Sequence, residues 1–435
     1  MKMNFKLTTL LGIAVLALGG LASCGKPAPE SEPTGSDSQG GGDTPGKAMS
    51  LTVSGPQAQD AWLRDTLAAF NTKRVQNGGV AVTFETKTYE ENNIDSGVTD
   101  WESGPDVFAF ASDKIMTLFQ AGALATVPTK VVNTYKETMK DGVMDAYGKF
   151  ANKYVAYPYD ASNGYFLYYD KSVLTTDDVQ TVEGILAKTT ADRQFAYNLE
   201  EAFYGIGALF TWGSRFNITT NPAGVTTEIT ADFNTDAGLK AAKGALKLLQ
   251  HPYRIKTQSA PTAANKLLAC VDGTWNAAAY KAQLGDNFGC AKLPTVTVNG
   301  ETKTMGSFLG YKMYGVNPIR SGADADRLAL AHEVAQYLVS EEVQISRFEE
   351  FGVGPTLKSV IASDAVSNDP ALVAINAQSE YAVPQTAVPG NVWTAPNTFY
   401  AEINELLGQD KSGTVTDAQL INLLEQLNDS IIGSK

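Results

Sequence analysis

Cysteine and histidine are nearly absent: three and two in 435 residues. His251 and His332 stand far apart with no carboxylate spacing around them, which argues against a histidine-based metal site. Neither lies near a serine that could serve as a nucleophile. No GxSxG elbow, P-loop, dinucleotide fingerprint or HExxH motif is present. Basic runs are missing too. Lys and Arg number 34 against 47 Asp and Glu, a net charge of −13, and phosphate binding needs clustered cations. A nucleic-acid partner is therefore excluded, and the acidity reads as a solubility feature. No repeat of solenoid period is visible. Paired carboxylates such as Asp160 with Glu201 could in principle cleave a glycoside, but nothing marks them. The expectation is no enzyme, no cofactor and no metal.

What is present begins at the N-terminus. Lys2 and Lys6 precede an apolar run, Leu7 to Leu21, too short for a comfortable span, and then Leu21-Ala22-Ser23-Cys24. That order is a secretory signal. The cysteine after small residues resembles a bacterial lipobox, which makes Cys24 the lipidation site. Acyl chains anchor by burying CH₂ groups, roughly 0.8 kcal/mol each. Residues 25–47 carry Gly, Pro, Ser, Asp and Glu without a large apolar side chain, so they cannot order themselves by burial. As a coil they reach ~25–30 Å. No later apolar run is long enough to cross a bilayer. The expected location is outside the cytoplasm, held to the cell membrane.

The body reads as α/β. Leu51–Val53 is a strand, Leu63, Leu67 and Phe70 form a helical stripe, and Val80, Val82 and Phe84 alternate as a strand. Gly104-Pro105-Asp106 opens a buried strand, Val107–Phe110, whose carboxyl end delivers Ser112, Asp113 and Lys114. Ligands of open α/β sheets sit at such ends; a helix cap is the plainer role for Asp113. Glu90 and Glu91 read as solvated loop acids. Tyr154–Tyr157 and Tyr165–Tyr169 read as two strands separated by a polar break at Asp160, Ser162, Asn163 and Gly164. Asn198 is a helix start followed by Glu200 and Glu201, and Trp275 is presented by a turn after a strand. Cys270 and Cys290 lie in two strand-like runs. They are a candidate disulfide if close enough, or else two small buried apolar residues. Aromatics at loop ends near polar planar side chains (Phe110, Tyr159, Phe203, Trp275 and Trp393) suit a sugar, which has apolar ring faces and hydroxyl edges.

Six segments in order carry a resemblance: GPDVFAFASDKIMTLFQAGALATV (104–127), KYVAYPYDASNGYFLYYDKSVL (153–174), ACVDGTWNAAAYKAQLGDNFGCAKLPTV (269–296), FLGYKMYGVNP (308–318), SEEVQISRFEEFGVGPTLKSV (340–360) and the stretch around Trp393. Together they resemble the extracellular solute-binding proteins of carbohydrate ABC importers, closest to the maltose/maltodextrin-binding group. The resemblance implies a type II periplasmic-binding-protein fold: two α/β lobes with a ligand cleft between them and hinge crossings. The implied organisation is a signal peptide over 1–23, a tether over 24–48, a first lobe over 49–159 and 310–358, and a second over 160–309 and 359–435.

The resemblance also implies ligand contacts. Phe110 matches a sugar-contacting aromatic, and Asp113 with Lys114 an Asp–Arg pair on hydroxyls. Glu201 and Phe203 match a Glu and an aromatic of the second lobe, and Trp275 and Trp393 two stacking tryptophans. Tyr159, Asp160 and Asn163 occupy the segment of a cleft carboxylate, with either Asp160 or Asn163 facing the ligand. Departures are Lys114 for Arg, which loses the planar fork, Gly273-Thr274-Trp275 for Gly-Pro-Trp, and one extra residue near Asp160. They weigh against maltose itself. The implied partners are an oligosaccharide, ABC-transporter permease subunits and the membrane through Cys24, with the chain a monomer. The alternatives are a surface glycan-active enzyme and a non-transport surface lipoprotein on the same fold.

Overall fold

The computed structural model describes residues 48–433; the signal peptide, nearly all of the tether and Cys24 fall outside them. Ten strands form one mixed sheet. In chain order they are β1 Met49–Gly55, β2 Val82–Thr88, β3 Val107–Ala111, β4 Tyr157–Asp170, β5 Gln194–Ala196, β6 Arg254–Ile255, β7 Leu267–Gly273, β8 Phe288–Ala291, β9 Ser307–Val316 and β10 Ala382–Pro384. The order across the sheet is β6-β5-β7-β4-β9-β3-β1-β2, with β8 added to β4 and β10 to β9. β1, β2 and β3 pair in parallel, as do β5, β6 and β7. Antiparallel β4 and β9 join the two parallel sets.

Burial follows the sequence pattern. Leu63, Leu67 and Phe70 are the buried stripe of helix Asp60–Gln76. Helix Ala202–Leu209 is buried almost all round, as a helix without a polar face must be. Two apolar clusters result. One combines β1 to β3 with one side of β4, β7 and β8; the other holds the opposite side with helices Asp236–Leu249, Ala395–Leu407 and Asp417–Ile432. Strand β4 belongs to both: Tyr157, Tyr159, Phe166 and Tyr168 face the first, and Tyr165, Leu167 and Tyr169 the second. Among the described residues no helix is long and apolar enough to cross a membrane.

Two expectations are corrected. The polar break in the central stretch is no break, because β4 runs unbroken through Asp160–Gly164. Its polar residues sit in bulges. Gly310 and Lys312 of β9 oppose Asn163 and Asp160, so three steps of β4 match two of β9, and a second shift follows between Lys312 and Met313. Nor do the described residues hold a disulfide. Cys270 and Cys290 are free, and each lies opposite Tyr168 from a different edge of β4. Two strand spacings, about 9.5 Å, exceed the roughly 7 Å Cα limit of a bridge.

Residues 48–435 purified without reductant should therefore titrate two thiols after unfolding in guanidinium. A count of zero by thiol reagent or intact mass would overturn the placement of both strands.

Candidate functional site

The bulges set the centre of a cavity of about 530 Å³. On a regular strand, residues three apart face opposite ways. The extra residue turns Asp160 and Asn163 to the same side, and both line the cavity. Ser162 points away. Its hydroxyl donates to Asp160 Oδ1 (2.6 Å) and accepts from Gly354 N (2.8 Å), while its carbonyl accepts from Thr274 Oγ1 (2.7 Å). Gln385 completes the floor: it accepts from Asn163 Nδ2 (3.3 Å) and donates to Asp113 Oδ1 (3.1 Å).

One wall is charged. Strand β3 ends in a 3-10 turn, Ser112–Lys114, that delivers Asp113 and Lys114. Lys114 Nζ lies 3.5 Å from Asp95 and 3.8 Å from Asp113. Asp113 caps no helix; helix Ile115–Gln120 starts without a side-chain cap. Glu91 accepts from Tyr159 OH (2.7 Å) and lies 3.7 Å from Lys312 Nζ. Behind Tyr159, the buried guanidinium of Arg347 sits 4.2 Å from the Tyr159 ring centroid and 4.4 Å from that of Trp62. Ring faces meet its charge by cation–π attraction.

The facing wall is aromatic. Trp275 is 51% exposed, Phe203 lies 6.3 Å from it, and Phe308 links Phe203 (6.0 Å) to Trp393 (5.7 Å) from behind. The turn carrying Trp275 is held by buried Asp272, which accepts from Asn276 Nδ2 (2.8 Å) and Tyr204 OH (3.3 Å). Thr274, where the resembled family has proline, supplies the hydroxyl that reaches Ser162. Arg254 grips Glu200 through two bonds of 2.7 and 2.9 Å, which fixes the loop so that the neighbouring Glu201 lines the cavity. The helix there starts at Ala202, later than Asn198 suggested, and Glu201 makes no cap.

Burial pushes the carboxyls of Asp113, Asp160 and Glu201 above the usual carboxylate range. Such a carboxyl binds its proton at higher pH when folded than when unfolded. The cost of burying its charge is thus present at neutral pH and is relieved as pH falls through the folded value.

Of the residues singled out from sequence, Asp113, Lys114, Asp160, Asn163, Glu201, Phe203, Trp275 and Trp393 line this one cavity. Two do not. Phe110 is wholly buried against Phe108, facing the core, and Tyr159 stands behind Glu91. Sequence reasoning dismissed Glu90 and Glu91 as solvated, yet both line the cavity, and it passed over Lys312 and Gln385. The signal for Lys312 was a lone lysine inside an otherwise apolar strand. Gln385 had none.

Thermal melts of the wild type and Asp160→Asn across a pH series will test the buried charge. The stability difference should move in favour of the wild type as pH drops from 7, because only the wild type sheds a buried charge at position 160. A difference independent of pH would rule that burial cost out. Tyr159→Phe, which removes the hydroxyl bonded to Glu91, should cost about 1–2 kcal/mol in urea unfolding.

Residues 65–374 match the family model described as bacterial extracellular solute-binding protein. A galactooligosaccharide-binding protein of Bacillus subtilis (strain 168) is 26% identical over 424 residues, 91% of each chain. A maltodextrin-binding protein from L. casei BL23, solved without ligand, superposes with a TM-score of 0.74 at 23% identity, covering 89% of this chain and 100% of that one. A cyclo/maltodextrin-binding protein solved with maltotetraose gives 0.69 at 18% identity, covering 89% and 98%. The curled mixed sheet is the fold of these binding proteins, and the chain belongs to the bacterial extracellular solute-binding protein family.

Proposed function

We propose that the protein captures an oligosaccharide outside the cell and hands it to an ABC transporter. The observation that carries this reading is the pairing of walls: Phe203, Trp275 and Trp393 across from Asp113, Lys114, Glu91 and Lys312. Aromatic faces stack on the C–H faces of sugar rings, and fixed carboxylates and ammonium groups bond the hydroxyl edges. The relatives' names point the same way: one binds galactooligosaccharides, another maltodextrin. They are binding proteins, and this chain is read as one, not as an enzyme.

Asp160 and Asn163 both contact the ligand in this reading, while Tyr159 orients Glu91 and Phe110 has no direct role. In this reading the lobes are 49–159 with 310–358 and 160–309 with 359–435, and β4 and β9 cross between them. A ligand held by both walls then favours the closed arrangement over the open one. Acylation of Cys24 and the tether over 24–48 keep a monomeric body near the transporter.

Intrinsic tryptophan fluorescence, titrated with gluco- and galacto-oligosaccharides, provides the test. Saturable quenching or enhancement is expected, and Trp275→Ala should weaken binding about tenfold, on the order of 1.4 kcal/mol. Silence towards every glycan, with a clear response to a peptide, would overturn the assignment.

A further inference from the structure

Ser162, which points away from the first cavity, lines another. This second cavity of about 450 Å³ lies behind the β4 bulge, against Ala161 and Ser162 of β4 and Leu309 of β9. It shares no lining residue with the cavity that holds Asp160 and Asn163. Small-molecule sites occupy roughly 300–1,000 Å³, so it has room for a ligand of its own.

Its walls are fixed from outside. One is helix Pro370–Ser379, with Pro370 in its first turn and Asp369 as its cap, accepting from Ala371 N and Leu372 N, both at 3.0 Å. Gln378 pins that helix to the body: it donates to Met305 O (3.0 Å) and Ser307 Oγ (3.1 Å) and accepts from Leu293 N (2.9 Å). Ile375 sits so close to β4 that a Cβ on Gly164 would stand 2.8 Å from its Cδ1. The other wall runs from Gly354 to helix Lys358–Ile361. Gln344 Oε1 holds it by accepting from Thr356 N (2.7 Å) and Leu357 N (3.1 Å), and Gly354 N donates to Ser162 Oγ. A cavity held in this way is preformed, as small-molecule sites usually are.

Depth and rim differ in chemistry. The buried lining is mostly apolar, with Leu309, Val366, Leu372 and Ile375. The exposed rim carries Asp141, Lys358 and Asn376, with Lys140 half-buried beside them. Lys358 is already engaged: its Nζ lies 2.7 Å from Asp141 Oδ1 and donates to the Glu137 carbonyl (3.1 Å). Among the described residues Lys140 forms no ion pair, and its Nζ donates to Asn376 Oδ1 at 3.1 Å. Burial holds its ammonium below the usual lysine range. One cation at the edge of an apolar pouch is thus left unneutralised.

We propose that this pocket binds a short-chain aliphatic carboxylate, its head group on Lys140 and its tail along Leu309, Leu372 and Ile375. The single negative charge matches the single unneutralised cation. One carboxylate oxygen accepts from Lys140 Nζ, and the amide nitrogen of Asn376 can donate to the other. The site and the sugar-binding reading stand independently of each other.

Calorimetric titration of the purified protein with sodium butyrate, hexanoate and octanoate tests it, with octanol and octylammonium as controls for charge. One octanoate should bind per chain, and each two added CH₂ groups should tighten binding by about tenfold. Octanol and octylammonium should bind about tenfold more weakly than octanoate. Lys140→Gln should weaken octanoate by about that factor and leave octanol unchanged. Ala362→Trp, which fills the pocket from its exposed edge, should abolish binding of both. No saturable binding of octanoate, equal binding of octylammonium, or octanoate affinity unchanged in both variants overturns the proposal.

Discussion

The hydroxyl of Ser162 is the point on which the molecule turns. It sits in the bulged middle of β4 and is bonded in two directions, to Asp160 on its own strand and to Gly354 beyond the sheet. The residue's backbone is used as well: its N–H donates to Asp160 Oδ1 (2.7 Å) and its carbonyl holds Thr274. One residue thus fixes the extra step in the strand, the carboxylate that step presents and the turn carrying Trp275. A one-residue slip in β4 would turn every side chain to the other face. Both apolar clusters draw on alternating β4 side chains, so such a slip would disrupt both together. The bulges survive because the bonds around them leave few polar groups unsatisfied.

The two walls are built by different physics. On the charged side, the acids are held from behind or from the floor: Glu91 by Tyr159, Tyr159 against Arg347, Asp113 by Gln385. Removing a deep partner leaves the exposed one in place but free to turn. On the aromatic side, orientation comes from packing, Phe308 backing both Phe203 and Trp393. Polar contacts choose among hydroxyl patterns because an unmatched buried group is costly, while ring faces add affinity with little discrimination.

How much of this could be read from residues alone follows the same division. Strands β1, β3, β7 and β9, the buried stripes and the tryptophan turns rest on local periodicity and turn chemistry, and the sequence carries those openly. The bulges are different. Asp160, Ser162 and Asn163 have the composition of a break, and only pairing with β9 makes them strand. Glu91 has the composition of a solvated loop, and only Tyr159 and Lys312, 68 and 221 positions away, make it a wall. Phe110 differs in the other direction: its strand lies where the residues place it, and the pleat sends the ring into the core. Cys270 and Cys290 illustrate the limit. Spacing said nothing about the strand lying between them.

Those two thiols bear on how the body is made. Burial pushes both well above the usual cysteine range, so little thiolate is available to attack or be oxidised. The described residues then fold without forming a disulfide. A chain unfolded by heat loses that protection, and its exposed thiols can join Cys270 to Cys290, a pairing the native sheet excludes. Closure of β4 against β7 and β8, a long-range contact, is what buries the thiols again and removes that hazard.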